Sequence, residues 1–308
     1  MRNLNYGHWI GLLASLIGIA TPLLPIIQKS RYDLVFPWSI VFVVVLFILW
    51  ENRYLKLNWR RKKRYMEELG AINQAHAHLR HLAGVSRMDK AQIKITFEQS
   101  LSQLTEVFSR LTGTICSASI KVLIQDFRVY GFEAHIATFA RDYRSLSTRG
   151  NPVYQSPMTL EENTDFKLIV QNLKAGNPVC HFLSNDLLKD ALKGYRNSRF
   201  GKEFYNTAQT HTGARGYSLL NEIWTLEYRS AIVVPIYPLQ AEKEHDLVGF
   251  LCIDSPKTEA FLPCDVDILK GLAAVMFEHK DLIKAYYDDF RDQPVNGMPG
   301  VLHHLPMA

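Results

Sequence analysis

Basic and aromatic side chains are interleaved in one polar stretch, residues 195–215, where together they could bind an anion. Guanidinium groups hold a carboxylate or phosphate through paired hydrogen bonds, and aromatic rings offer stacking surfaces. Three more arginines stand near predicted strand ends elsewhere in the chain. We predict a ligand site formed by Arg141, Arg144, Tyr195, Arg196, Arg199, Phe200, His211, Arg215 and Arg229. The alternative is a solvated basic lid, because charged loops usually form ordinary surface.

The cysteines and histidines do not indicate a metal site. The four cysteines are scattered, without a C-x-x-C pair: Cys116, Cys180, Cys252 and Cys264. His78 and His81 could share a helical face with His76 nearby, but no third ligand stands at a suitable spacing. No nucleophile–base pair can be named either, so we expect neither an enzyme nor a metal site, and the sequence identifies no cofactor.

The net charge of +5 is unevenly distributed. Residues 1–64 contain ten basic and two acidic side chains, which leaves 25 basic and 28 acidic side chains in residues 65–308. The basic character therefore belongs to the N-terminal part of the chain. Because the remainder is slightly acidic, we expect no binding of nucleic acid.

The elements that must position the candidate residues follow from the hydrophobic pattern of residues 90–290. Helical spacing is found over 90–112 and from Pro263 onward, and a helix capped by Asn163 or Thr164 ends before Gly176. Strands are predicted over 115–126, 132–140, 178–184, 229–237 and 247–254. Residues 141–162, with Gly150, Pro152 and Pro157, are predicted to form a loop. Residues 184–222 are predicted to hold helical pieces and a lid.

This order of elements resembles the GAF family. The stretches that carry the resemblance are YRSAIVVPIY, LVGFLCIDSPKTEAF and PCDVDILKGLAAVMFEHKDL, preceded by NTDFKLIVQNL and NPVCHFLSND. The resemblance implies an α+β fold, with a central antiparallel sheet, helices on one face and a ligand cavity on the other. It does not name the ligand, because the fold serves several.

Three specialised branches of the family are not matched by their residues. The cyclic-nucleotide signature has as its nearest counterpart NSRFGKEF, with Asn197, Phe200 and Glu203, which lacks the lysine and the acidic pair. The bilin-binding motif is missing. Cys116, Cys180 and Cys252 lack the glycine-rich contexts of the methionine sulfoxide reductases in the family.

Two apolar runs near the N-terminus predict a transmembrane hairpin within residues 1–50. Residues 9–27 and 34–50 contain no ionisable side chain, and each approaches the roughly 20 residues that span a bilayer. Only residues 28–33 separate them, which requires antiparallel helices. The alternative, a cleaved signal peptide, lacks an A-x-A site and would be followed at once by a second apolar run.

Basic residues set the expected orientation of this hairpin. The run Arg60-Arg61-Lys62-Lys63-Arg64 follows the second span, whereas the connecting loop offers only two bases. The protein is therefore expected in the inner membrane, with both termini in the cytoplasm. The run either contacts anionic headgroups or acts as a topology signal alone.

Residues 51–89 are predicted to be a basic and helical linker, and residues 291–308 a disordered tail. Apolar positions from Tyr65 alternate at spacings of four and three for less than three heptads, which indicates a short helix able to pair in a homo-oligomer. No output domain follows residue 290. We therefore expect a membrane-anchored sensor of a small, anionic molecule that signals through the hairpin or the oligomer. In a stronger version of this hypothesis, the protein is a membrane effector gated by a nucleotide. The alternative is a membrane-anchored scaffold that docks a signalling partner without a ligand.

Overall fold

The computed structural model describes residues 43, 46–47, 50, 63, 65–68, 70–77, 79–80, 90–124, 134–149, 158–177, 179–238 and 247–284. The chain divides into two compact units, Met1–Met66 and Glu67–Ala308. The predicted spans 9–27 and 34–50 lie outside the described residues, apart from four exposed helical positions: Val43, Leu46, Phe47 and Trp50. No helix within the described residues is long and apolar enough to cross a membrane. The predicted tail, 291–308, also lies outside the described ranges.

The second unit contains one six-stranded antiparallel sheet, as expected for the predicted α+β class. Its strands are β1 Ser117–Ile124, β2 His135–Arg141, β3 Met158–Thr159, β4 Phe182–Ser184, β5 Ser230–Ile236 and β6 Gly249–Ser255, in the order β3-β2-β1-β6-β5-β4. The helices are α1 Lys90–Thr112, α2 Tyr143–Arg149, α3 Thr164–Lys174, α4 Leu187–Ala191, α5 Lys202–Thr210, α6 Gly213–Glu222 and α7 Pro263–Phe277.

One face of the sheet forms the main hydrophobic core with α1 and α7. Alternate residues of β1, namely Ala118, Ile120 and Val122, belong to this core because successive side chains in a strand point to opposite faces. The Phe97 ring of α1 meets the Phe139 ring of β2 edge to face, with centroids 5.3 Å apart. Complete burial of each large apolar side chain contributes about 1.5–3 kcal/mol, so this face supplies much of the stability.

The helical residues within 67–80 belong to the same core. Ala75 and Leu79 are fully buried in it. Both oxygens of the Glu68 carboxylate accept hydrogen bonds from the Arg110 guanidinium of α1, each at 2.7 Å. The compact unit thus begins at Glu67, and part of the segment that the sequence assigned to a linker packs within it.

The prediction of a loop over residues 141–162 is wrong at its start, because α2 occupies Tyr143–Arg149. The helix begins where Asp142 accepts a hydrogen bond from the Ser145 backbone N–H at 3.0 Å, which satisfies a donor of the first turn. The same carboxylate accepts the Ala118 N–H of β1 at 2.9 Å. This cap, together with the tertiary contact, outweighs the polar composition of the segment.

The opposite face of the sheet is covered by α3 and by the three short helices α4 to α6. Residues 184–222, predicted to hold helical pieces, enclose a separate aromatic cluster. In it Phe200 stacks on Phe204 at 4.0 Å, and the Trp224 ring lies 5.1 Å from Phe200. A second small cluster joins α3 to the sheet through Phe166 and Phe250, 4.8 Å apart.

Candidate functional site

A cavity of about 40 Å³ lies on this second face, between the sheet, α3 and residues 197–199. Four basic side chains line it: Lys121, Arg141, Arg149 and Arg199. Asp165 and Asp254 supply its acidic groups. Because a water molecule needs roughly 10–15 Å³ measured in this way, the space suits about three waters or a small ion.

Lys121 reaches the cavity from the centre of the sheet. Its neighbours Ile120 and Val122 point into the main core, so strand alternation directs Lys121 to the other face. Its ammonium donates a hydrogen bond to the Thr138 hydroxyl of β2 at 2.8 Å. Burial, reinforced by the nearby charges of Arg199 and Arg141, lowers the pKa of Lys121 well below its usual value.

A β-bulge brings Arg141 to the same face as Lys121. In the ladder between β1 and β2, Lys121 pairs with Thr138 and Ser119 pairs with Arg141. The two residues of β1 are two positions apart, whereas their partners in β2 are three positions apart. An odd spacing would place Thr138 and Arg141 on opposite faces of a regular strand. The irregularity between Ile120 and Lys121 absorbs the extra residue, and so both side chains lie on the cavity face.

The Arg141 guanidinium is an unusual buried cation. Only 5% of the residue is exposed, and its Nη1 has no hydrogen-bond partner within the part of the chain that the structure describes. Burial lowers the pKa of Arg141, and the nearby charge of Asp254 partly offsets this. Since buried polar groups are almost always satisfied, Nη1 marks a place for an acceptor in the cavity.

Arg149, at the end of α2, is by contrast fully paired. Its Nη1 and Nη2 donate to the two oxygens of Asp254 at 2.9 and 3.0 Å, and its Nε donates to Glu227 at 2.8 Å. Burial acts to lower the pKa of Arg149, but the two carboxylates outweigh it and raise that pKa. Arg149 and Asp254 neutralise each other, so Arg149 closes one wall of the cavity and does not supply free charge.

Asp165 is the acidic group that shares the cavity with Lys121 and Arg141. It sits in the first turn of α3, is 5% exposed, and accepts the Phe166 N–H at 3.0 Å and the Tyr195 hydroxyl at 3.4 Å. Burial raises the pKa of Asp165 to about 6, although these hydrogen bonds act in the opposite direction. The carboxyl is therefore partly protonated near neutral pH.

A polar network fixes the loop that carries Arg199. The Asn197 backbone N–H donates to the Tyr205 hydroxyl at 2.9 Å, and its side-chain oxygen accepts the Arg199 N–H at 3.1 Å. Asn163, just before α3, accepts the Ser198 N–H at 3.2 Å. These bonds join the loop to α3 and α5, which positions Arg199 before any ligand arrives.

The balance of charge in the cavity is positive. Once Arg149 is paired with Asp254, Lys121 and Arg141 remain opposite Asp165. Within the described residues, neither Lys121 nor Arg141 forms an ion pair with a carboxylate. The arrangement is chemically suited to hold a small anion. Apolar lining comes from Phe166, Val233 and Met158.

Of the nine residues predicted for the site, the structure brings Arg141 and Arg199 together at the cavity. Tyr195 lies directly behind it, bonded to Asp165, and Phe200 is buried in the aromatic cluster. Arg144, Arg196 and Arg215 are exposed. His211 bonds to its neighbour Thr210 at the end of α5, and the Arg229 guanidinium lies 4.5 Å from the Trp224 ring.

Sequence reasoning did not identify Lys121, Arg149, Asp165 or Asp254 as site residues. For Lys121 a signal was present, because it is the one charged residue in the apolar strand SASIKVLI. A charge in such a strand must be paired or face a polar space. Asp165 offered no comparable signal, because an acidic residue in the first turn of a helix is ordinarily explained by the helix dipole.

The structure also places the four cysteines. All four are free; Cys116, Cys180 and Cys252 are buried, whereas Cys264 is exposed. Burial raises the pKa of Cys252, which lines the cavity, to about 12, so that it stays a thiol. No group of side chains suited to hold a metal ion occurs among the described residues, and His78 and His81 lie outside them.

Comparisons with known proteins give structural likeness alone. No family model and no curated protein matches the chain. The GAF domain of a phosphoenolpyruvate-protein phosphotransferase from Acinetobacter is 12% identical, with 74% of this chain and 98% of that chain covered and a TM-score of 0.40. The chromophore-binding domain of a bacteriophytochrome from R. palustris is 13% identical, with 73% and 64% covered and a TM-score of 0.39.

A third similar structure is the GAF domain region of a putative membrane protein from Geobacter sulfurreducens. It is 14% identical, with 64% of this chain and 95% of that chain covered and a TM-score of 0.35. At these identities and scores the likenesses carry no weight for function. The chain's own residues must therefore support any proposed role.

Proposed function

We propose that the unit beginning at Glu67 is a GAF-type sensory domain that binds a small anion in this cavity. The observation that supports it is the pair of buried cations, Lys121 and Arg141, which face the cavity without an ion pair in the described residues. Burying an uncompensated charge costs several kcal/mol. A bound carboxylate or phosphate group would remove this cost and satisfy Arg141 Nη1.

Binding has a physical route to the opposite face of the sheet. Arg141 follows directly after Phe139 and Ala140, the two bulge residues that pack in the main core. Phe139 contacts Phe97 of α1, and the core continues to Leu79. Ligand would shift this packing only to the extent that it binds one state more tightly than the other.

We further propose that the signal leaves through the N-terminal hairpin predicted over residues 1–50, in a homo-oligomer held in the inner membrane. In the stronger version the protein is a membrane effector gated by a nucleotide. A cavity of about 40 Å³ would admit the phosphate group of such a ligand but not its base or ribose, unless the surrounding loops open. The role proposed is sensory and not enzymatic: the cavity binds its ligand reversibly and releases it unchanged.

The decisive experiment is mass spectrometry of small molecules released by denaturing the purified full chain, with an absorption spectrum recorded first. We expect one anionic molecule at a stoichiometric amount. In parallel, the melting temperature of ligand-free protein is measured with added acetate, phosphate or sulfate, at constant ionic strength set with chloride. At least one of these anions is expected to raise the melting temperature, because a ligand stabilises the folded state to which it binds.

A chain that releases nothing and melts at the same temperature in all these salts would contradict the proposal. The small cavity would then favour the second candidate function, a membrane-anchored scaffold whose pocket has collapsed. One stoichiometric partner protein recovered with the full chain would support that scaffold.

A further inference from the structure

Anion binding alone does not explain why the innermost cation of the cavity is a lysine. Arginine binds oxyanions through a planar fork and keeps its charge when buried, whereas lysine readily loses its proton. Lys121 donates to a neutral hydroxyl, that of Thr138, and has no carboxylate partner among the described residues. Burial and the adjacent arginines lower its pKa, so the neutral amine with its free electron pair is reached more easily than in an exposed lysine.

The groups around Lys121 match the needs of a carbonyl-bearing anion. Arg141 and Arg199 line the same cavity and are suited to hold a carboxylate. Asp165 also lines it, and its pKa of about 6 makes it a proton donor near neutrality. A desolvated lysine beside other cationic groups is the usual setting for a nucleophilic amine.

We propose that the cavity captures a small 2-oxo acid by forming a reversible imine between the carbonyl carbon of the acid and the Lys121 side-chain nitrogen. This inference rests on the proposed function and deepens it, because it names the class of anion. The cavity volume of about 40 Å³ suits short acids of the size of glyoxylate or pyruvate.

The reaction is balanced without an external oxidant or reductant. The Lys121 electron pair forms the new C–N bond while the carbonyl π electrons move to oxygen. The two amine protons and the Asp165 proton are then shared out: two leave with the carbonyl oxygen as one water, and one stays on the iminium nitrogen. The C–O bond breaks and Asp165 becomes a carboxylate. Its negative charge balances the positive charge of the iminium group.

The experiment treats the full chain, purified in detergent, with pyruvate and then with cyanoborohydride, which reduces an imine to a stable secondary amine. The expected product has gained one pyruvate and two hydrogens and lost one water. Peptide mapping is expected to place the adduct on Lys121. Lys193, whose side chain is 77% exposed, serves as an internal measure of non-specific labelling.

Two variants separate the imine from simple anion binding. Lys121→Arg keeps a positive charge at this position but cannot form an imine, so we expect loss of the adduct, while the rise in melting temperature of the unmodified sequence with acetate, which has no ketone carbonyl, reports anion binding separately. Asp165→Asn removes the proton donor, and we expect labelling at Lys121 to slow by tenfold or more, since general acids contribute about 10²–10⁴-fold.

Labelling of Lys121 no faster than that of Lys193 would overturn the imine. If acetate and pyruvate nevertheless raise the melting temperature, the anion site stands and only the covalent step fails. If neither they nor phosphate nor sulfate changes it, the proposed function fails together with the imine. Acetate that blocks labelling at Lys121 without affecting Lys193 would support both.

Discussion

At the scale of single residues, the site depends on how burial changes the charge of Asp165 and Lys121. The usual pKa of an aspartate, 3.8, rises to about 6 for Asp165 on burial. Between these two pH values the folded state holds a proton that the unfolded state has lost. The contribution of Asp165 to stability therefore falls as the pH rises from about 4 to about 6, and it stays at its lower level above that.

Anion binding should consequently weaken as the pH rises through about 6. Ionised Asp165 adds a negative charge to the cavity, and loss of the Lys121 proton at higher pH acts in the same direction. Asp165→Asn should tighten acetate binding at pH 7.5 by about tenfold and flatten its pH profile near 6, because a charge several ångströms away is worth about 1–3 kcal/mol. Titration calorimetry at pH 5 to 8 measures this; an unchanged profile in the variant would assign the pH effect elsewhere.

Two arginines three residues apart provide a matched test of the cavity. Arg141→Met should reduce acetate or phosphate affinity by about tenfold or more, because a hydrogen bond to a charged group is worth about 1.5–3 kcal/mol. Arg144→Met removes the same charge from the exposed surface of α2 and should leave affinity within twofold. Equal losses in the two variants would show that general electrostatic attraction, and not the cavity, accounts for binding.

Residue-scale sequence reasoning identified Arg141 and Arg199 by their chemistry but could not place them. Arg196, three positions before Arg199, has the same side chain and is exposed, because the turn at Asn197 directs only the later arginine inward. Lys121 could have been predicted from the sequence, because it is a charged residue in an apolar strand. The raised pKa of Asp165 could not, because it results from burial by residues distant in sequence.

At the scale of elements, Asp142 joins β1 to α2 and so holds both Arg141 and Arg149 in place. Its buried carboxylate accepts the Ala118 and Ser145 N–H groups and the Ser145 hydroxyl. Asp142→Ala should lower the free energy of unfolding by about 3 kcal/mol, because buried donors lose a charged acceptor. Asp142→Asn keeps one acceptor oxygen, so its free energy of unfolding should fall by about half as much. Urea unfolding measures both changes. A loss under 1 kcal/mol in the alanine variant would contradict the role of this cap.

Gly249 permits the close pairing of β6 with the strand that carries Lys121. A Cβ placed on Gly249 would lie 2.1 Å from the Lys121 carbonyl oxygen and 2.9 Å from Val122 Cα. Gly249→Ala should therefore destabilise the domain by at least about 2 kcal/mol and weaken anion binding, because the strand must shift. Gly70→Ala, in open space on a helix, should instead stabilise by up to about 1 kcal/mol. Thermal unfolding of both variants measures these changes in stability. A Gly249→Ala variant as stable as the unmodified protein would refute the steric argument.

The elements differ in how closely their bounds can be predicted from the sequence, and the difference has a physical reason. Strands β5 and β6 were found within about two residues of their ends, because both are buried on two faces and consist of continuous apolar runs. Helix α2 was missed because its seven residues, YRSLSTR, contain a single leucine and give no periodic signal. Its formation depends on contacts of Asp142 with a distant strand.

At the scale of the whole molecule, the two apolar runs near the N-terminus lead us to expect integral membrane association. The full chain should sediment with membranes and resist extraction by alkaline carbonate, whereas a chain starting at Glu67 should remain in the supernatant. The two runs of 19 and 17 uncharged residues each approach the length that spans a bilayer. Release of the full chain by carbonate would show that the runs do not span the membrane.

The bulge in β2 has a consequence for recognising other proteins with the same site. Removing one residue at Phe139 or Ala140 would restore regular alternation and leave the arginine, now two residues after Thr138, on the cavity face, whereas an arginine still three residues after Thr138 in a strand without the bulge would point toward the core formed with α1. Two chains could then carry an arginine at the same aligned position while only one presents it to a ligand. Searches for relatives that share this chemistry should therefore compare strand register, counted from the lysine of β1, before they compare residue identity.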